Sequence, residues 1–187
     1  MSTLIGTLRE EHRNMALLLD ALERQVWTFA QSGAPDYELI IGIADYFLGY
    51  PDLCHHPKED VVFEQLRAAV PQEASRIGDL LAEHRTVHER VQHFRSIIGA
   101  VLQDSEVARS DVVETVREFV NAERTHMRLE EERFFPLAEM ALTPADWSVI
   151  ERTLKARQEA TYEDGIDEAF DNLREALISW ERDSETG

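Results

Sequence analysis

Histidine and glutamate recur along this chain in an order that only a set of helices can gather into one place. Glu11-His12-Arg13 returns as Glu83-His84-Arg85, and His55-x-x-x-Glu59-x-x-x-Phe63 returns as His126-x-x-x-Glu130-x-x-x-Phe134. His12 precedes His55 by 43 residues, and His84 precedes His126 by 42. His88 adds a second histidine four positions after His84. An α-helix turns about 100° per residue, so side chains four apart lie within about 40° of each other on one face. His55 with Glu59, His84 with His88, and His126 with Glu130 are therefore three two-group edges, and His12 supplies a single group from a fourth helix. Burying five imidazoles and two carboxylates costs their hydration unless something coordinates them. The pattern predicts a two-metal site inside a helical bundle.

The rest of the chain fits that reading. Apolar residues recur at intervals of three and four over most of its length, with no convincing strand alternation. A first helix carries Leu4, Leu8, His12, Met15, Leu19, Leu22, Val26 and Phe29 on one stripe and stops near Ser32-Gly33-Ala34-Pro35. A second runs from Asp36 to about Val70, with Pro51 and Pro57 inside it; each proline removes a backbone donor, so a kink or local break is expected beside His55 and Glu59. A third runs from about Gln72 to Leu102 through Ile77, Leu81, His84, His88, Val91 and Ile98. A fourth begins near Asp111 and passes Val116, Val120, His126, Glu130 and Phe134 before Pro136. The expected architecture is all-α: an up-down-up-down four-helix bundle over residues 1–140, with an additional C-terminal helical pair over 141–187 packed on it. Thr143-Pro144-Ala145-Asp146 reads as the N-terminus of that pair, followed by Trp147, Ile150 and Leu154. Ile166, Phe170, Leu173, Leu177 and Trp180 form the stripe of the last helix. Burying it on the bundle gives a monomer; burying it on a second copy gives a dimer. The monomer is preferred.

At 187 residues and 43% hydrophobic content the chain is long enough for one domain with a full core. Its 37 acidic and 19 basic residues leave a formal charge of −18, which repels phosphate backbones and anionic lipid. Neither nucleic acid nor membrane is an expected partner. The lone Cys54 forms no internal disulfide, and no signal peptide or membrane-spanning run is read, so a cytoplasmic protein is expected.

Imidazole suits iron, copper, nickel or zinc, and a carboxylate has two oxygens with which to bridge a pair of ions. Here the chain resembles hemerythrin and the wider hemerythrin-like HHE domains. The likeness covers roughly residues 4–140 and rests on His-His-Pro-Lys-Glu-Asp-x-x-Phe at 55–63, the His84-x-x-x-His88 pair, and the His-x-x-x-Glu-Glu-x-x-Phe-Phe-Pro run ending at Pro136. The resemblance implies a four-helix bundle around two non-haem irons. One iron would take His84, His88 and His126, and the other His12 and His55. Glu59, Glu130 and an oxo or hydroxo group would bridge them. The second iron then has one imidazole fewer and an open position for dioxygen, since Ala16 stands where a counterpart of His88 would be. The implied function is dioxygen binding for sensing, storage or delivery; the alternative is a di-iron redox enzyme acting on peroxide, nitric oxide or oxygen, or an iron-handling protein. The animal oxygen carriers place an Asp five residues after the last His, whereas this chain has Glu130 at four and Glu131 at five. On an ideal helix Glu131 lies about 140° from His126, which favours Glu130 as the bridge.

Other polar residues receive plainer readings. His93 should face away from His84. His56 is expected at the surface or behind a ligand, and Asp60 and Glu131 as solvated charges. Glu123 and Asp52, three positions before His126 and His55, either orient those rings or sit on the helix surface. Cys54 reads as packing. Phe63, Phe134 and Trp27 either wall the site or are ordinary core.

Overall fold

The fold was derived from a computed structural model that describes residues 3–103, 105–161 and 166–185. Helix α1 (Thr3–Ala30) ends two residues before Ser32, which turns the chain with φ 63°. Helix α2 (Tyr37–Tyr50) starts at Asp36, whose carboxylate accepts from Leu39 N at 3.0 Å and so takes up one of the free N–H groups of the first turn. It continues through a π-turn at Pro51–His55 into α3 (His56–Ala69). The break expected at the prolines is therefore a widened turn. Pro57 has no N–H, and its ring would crowd the carbonyl of Leu53 in a regular α-turn. The His56 N–H instead reaches Pro51 O.

The third long helix starts later than the periodicity suggested. A single turn, α4 (Pro71–Ala74), is followed by Gly78 at φ 105°, and Asp79 then caps α5 (Leu80–Leu102) by accepting from Ala82 N. Ile77 therefore lies ahead of α5, although it is still buried. Helix α6 (Arg109–Leu129) runs through a second π-turn, Glu130–Phe134, into α7 (Phe135–Ala141). This turn also lies just before a proline, Pro136, so helical structure continues past the point where the sequence suggested an end.

The helices α1, α2–α3, α5 and α6–α7 close a ring: α1 packs on α6, α6 on α5, α5 on α2, and α2 on α1. Short connections make successive members antiparallel, which is the up-down-up-down bundle. No described residue is in a strand. Helix α8 (Pro144–Thr161) begins with a reciprocal cap between Thr143 and Asp146 and lies against α3, burying Ile150. Helix α9 (Ile166–Glu185) lies on α1 and α2. Leu177 and Phe170 approach Gly42 and Gly49 so closely that a Cβ at either glycine would meet a side-chain carbon at 2.6 Å. The side chains of Leu81, Ile166 and Trp180 lie outside the described residues.

Two apolar layers fill the bundle. One holds Met15, Leu19, Leu22, Ile43, Phe47, Phe94, Phe119 and Val120; the other holds Ile5, Leu8, Val62, Leu66, Phe134, Phe135 and Ala138. Each fully buried large side chain contributes about 1.5–3 kcal/mol. Every long helix passes from one layer to the other, and each carries its histidines and glutamates at the crossing. On α1, for example, His12 lies between Leu8 and Met15. Among the described residues ten polar or charged side chains are buried, and all but Thr115 belong to this polar layer or touch it.

Candidate metal centre

The polar layer holds His12, His55, Glu59, His126 and Glu130 at 4% exposure or less, with His84 at 7%. Six of the seven residues singled out by the repeat thus meet in one place. His88 does not join them. It points sideways, half-buried, with Nδ1 2.5 Å from Asp52 Oδ2 and Nε2 against Gln92. In its stead the structure brings in His56, 5% exposed and stacked on His84 with ring centroids 3.9 Å apart. Of the two positions expected for His56, at the surface or behind a ligand, the burial overturns the first. His55 and His56 lie four and three residues before Glu59, so both neighbour it on the helix, one on each side. Measuring His56 only against His55 hid that relation.

Two sets of candidate ligand atoms lie within 4.8 Å of one another: His12, His55, Glu59 and Glu130 in one, and His56, Glu59, His84 and His126 in the other. The glutamates join them. Glu59 Oε1 is 3.3 Å from His55 Nε2, while its Oε2 is 3.5 Å from His84 Nε2. Glu130 Oε2 is 3.3 Å from His12 Nε2, while its Oε1 is 3.2 Å from His126 Nε2. Each carboxylate therefore turns one oxygen to each set. None of these four oxygens has a hydrogen-bond partner, nor do the Nε2 atoms of His84 and His126.

The outer nitrogens explain why. His12 Nδ1 donates to Glu131 Oε1 at 3.1 Å, and His55 Nδ1 donates to Glu11 Oε2 at 2.7 Å. His56 Nδ1 donates to Asp52 Oδ1 at 3.2 Å, and His84 Nδ1 faces Asp60 Oδ1 at 3.3 Å. With a proton fixed on Nδ1, a neutral imidazole turns a lone pair inward from Nε2. His12 and His55 then oppose their Nε2 atoms at 3.0 Å beside two carboxylates. Such an interior is electron-rich throughout, and only cations or protons make it stable.

The titration of the metal-free chain follows. Burial lowers the imidazole pKa values, but the carboxylates outweigh it. His12 is held at about 9 by Glu130 and Glu131, His55 at about 10 by Glu59 and Glu11, and His84 at about 11 by Asp60, Glu130 and Glu59. Glu59 and Glu130, though fully buried, remain below the usual carboxylate range because these imidazoles face them. His126, whose Nδ1 has no partner, is pushed down to about 4 by burial. Protons on three imidazoles thus balance the site when no cation does. The donor set and its orphaned atoms fit a pair of cations.

Several supporting residues escaped the sequence pattern. Asp60 and Glu131, expected as solvated charges, receive ring nitrogens, and Glu131 is further held by Arg9 at 3.2 Å. Glu11 is fixed from its other side by Lys58 at 2.6 Å. Phe135 stacks on His12 at 5.3 Å. Their signal was adjacency: Glu11, Asp60 and Glu131 each neighbour a motif residue. Asp52 serves His56 and His88 rather than His55, and Glu123 makes no hydrogen bond to His126. Phe63 and Phe134 pack edge-to-face at 5.6 Å in the apolar layer, but Trp27 is 65% exposed and walls nothing. His93 is exposed. Cys54 is buried and in no disulfide.

Comparison with curated proteins and with solved structures returns no match. The family model of the hemerythrin HHE cation-binding domain matches residues 3–138, a span that starts with α1 and ends within α7. With its helical bundle and buried His/Glu cluster suited to metal, the chain belongs to the hemerythrin HHE cation-binding domain family.

Proposed function

We propose that this chain is a non-haem di-iron protein that binds dioxygen, with residues 1–140 as the binding module and 141–187 as a helical extension. The observation that carries the reading is the division of Glu59 and Glu130, one oxygen to each imidazole set. Bridging carboxylates would place two ions side by side, and iron is among the ions that imidazole and carboxylate ligands suit. His12 and His55 would hold one iron. His84 and His126 would hold the other, with His56 as their third imidazole in place of His88. An oxo or hydroxo group would complete the bridge. Two irons so held would supply reversible one-electron chemistry and an open position on the ion with fewer imidazoles.

The protein's own groups do the rest. Glu131, Glu11, Asp52 and Asp60 keep protons on the outer ring nitrogens and so hold the inner ones ready for metal. Phe134 and Phe135, both fully buried, shield one side of the site from water. No helix among the described residues is long and apolar enough to cross a membrane. The lone Cys54, which is in no disulfide, supports a cytoplasmic setting, and the burial of Leu177 supports action as a monomer.

The test is the visible spectrum of the iron-loaded, reduced protein as air is admitted and withdrawn. A charge-transfer band that comes and goes with air supports dioxygen binding. Rapid, irreversible conversion to an oxo-bridged ferric spectrum would replace that reading with the redox enzyme, to be assayed with peroxide and nitric oxide.

A further inference from the structure

Four carboxylates receive the outer ring nitrogens of the site, and among the described residues Glu11 alone has a lysine or arginine to itself. Its Oε2 accepts from His55 Nδ1 at 2.7 Å, and its Oε1 accepts from Lys58 Nζ at 2.6 Å. Lys58 has no second carboxylate within ion-pair reach among the described residues. Glu131 also meets a cation, Arg9, but Arg9 turns both of its terminal nitrogens to Glu139 at 3.0 Å. Asp52 and Asp60 are paired with histidines.

The arrangement belongs to one half of the repeat. At the positions equivalent to Glu11 and Lys58 the second half has Glu83, which is exposed, and Leu129, which packs against an apolar layer. A carboxylate on the outer nitrogen of a metal-bound imidazole makes the inner nitrogen a stronger donor. A cation on the far oxygen of that carboxylate draws its charge the other way. Glu11 is buried, so little water screens either pull. It is held between a ring and an ammonium that compete for it.

We propose that Lys58 sets the donor strength of His55 by restraining Glu11, and so fixes how far the ion at His12 and His55 favours its higher charge. The role rests on the di-iron reading above. Without Lys58, Glu11 draws harder on the ring N–H, His55 donates more strongly, and ferric iron is favoured. Without the charge of Glu11 the reverse holds. Lys58 acts through Glu11 and is a positioning residue.

The test compares the full-length, iron-loaded protein with its K58M, E11Q and K58M/E11Q variants by spectroelectrochemical titration. Methionine and glutamine keep roughly the shapes of the side chains they replace. K58M should favour ferric iron about tenfold more than wild type does, and E11Q should favour ferrous iron by about the same factor. In the double variant the effect of K58M should fall below about threefold, because its intermediary is gone. Shifts of K58M and E11Q in the same direction would make the pair a brace alone and overturn the proposal. An undiminished effect of K58M in the double variant would also overturn it, since Lys58 would then act on the ion through space. Should wild type fail to hold two irons, the di-iron reading falls. The zinc-loaded chain then tests Lys58 separately, as it does if a variant alone fails to take up iron. The His55 Nδ1 proton resonance should move downfield in K58M and upfield in E11Q; no movement would overturn the proposal.

Discussion

The two sets of the buried cluster are both faced by Glu59 and Glu130 and differ in nearly everything else. The His84–His126 set has three imidazoles, two of them stacked; His56 is held by Asp52 one turn earlier in its own helix, and His84 faces Asp60 on α3. The His12–His55 set has two imidazoles, held by Glu131 and Glu11, which are themselves anchored by Arg9 and Lys58. The difference teaches that a repeat in sequence need not produce equal halves in space. Glu11 and Glu83 occupy equivalent places in the repeat, but Glu11 holds His55 while Glu83 faces solvent. One half is rich in donors; the other is more firmly braced and leaves room for a visitor.

The sharpest way to break this comparison is to remove what the halves share. Glu59→Ala or Glu130→Ala should drop iron from about two ions per chain to below about one, by elemental analysis, because each glutamate serves both sets. Glu131→Ala should keep both ions while weakening iron binding by about 10–100-fold, the usual effect of losing a group that orients a ligand. A greater loss in Glu131→Ala than in Glu130→Ala would move the bridge to Glu131.

A smaller effect separates the two histidines whose roles the sequence and the structure divide differently. His56→Ala should lower iron content toward one ion per chain, while His88→Ala should leave it near two. The reverse result would return His88 to the set and make His56 a packing residue.

Acidity distinguishes the halves next. His12, His55 and His84 titrate at about 9, 10 and 11 in the folded, metal-free chain, against an ordinary value near 6.5. Their contribution to stability is complete below about pH 6.5 and fades as pH rises through those folded values. Denaturation of the chelated protein should therefore show lower stability at pH 9.5 than at pH 6.5, by more than about 1 kcal/mol. Iron binding should tighten over the same interval, since the imidazoles must release protons first. Stability that rises toward pH 9.5 would mean the rings are neutral without metal.

The mildest change lies outside the site. Gly49→Ala should lower stability by about 1–3 kcal/mol through a clash with Phe170, leaving iron content intact. A loss of iron there would tie α9 to the centre.

The four-member bundle, the order of its helices and most of the cluster were readable from the sequence because spacing alone decides which face a residue occupies. His55 with Glu59 and His126 with Glu130, each pair four apart, came together as the period requires, and His12 and His84 joined them. What stayed hidden depends on contacts between helices. Nothing local to Asp60 or Glu131 marks them as acceptors for rings 24 and 119 positions away. His88 has the same spacing from His84 as His126 has from Glu130, yet Asp52 on a neighbouring helix draws it aside. The late start of α5 turned on Gly78 and Asp79, a turn and a cap that apolar periodicity passes over.

The π-turn at Pro51–His55 bears on how the chain tolerates changes of length. Such a turn accommodates one residue more than a regular α-helix needs between the same two faces. Deleting Leu53, which is 50% exposed, should leave Phe47 upstream and Leu66 downstream on their sides, with Pro57 bending the regular turn that replaces the wide one. A deletion elsewhere in α2 or α3 would rotate everything beyond it by about 100° and expose one of the apolar layers. The spot where this helix can best spare a residue is thus two positions from His55, so a one-residue deletion there would separate the ability to fold from the ability to hold metal.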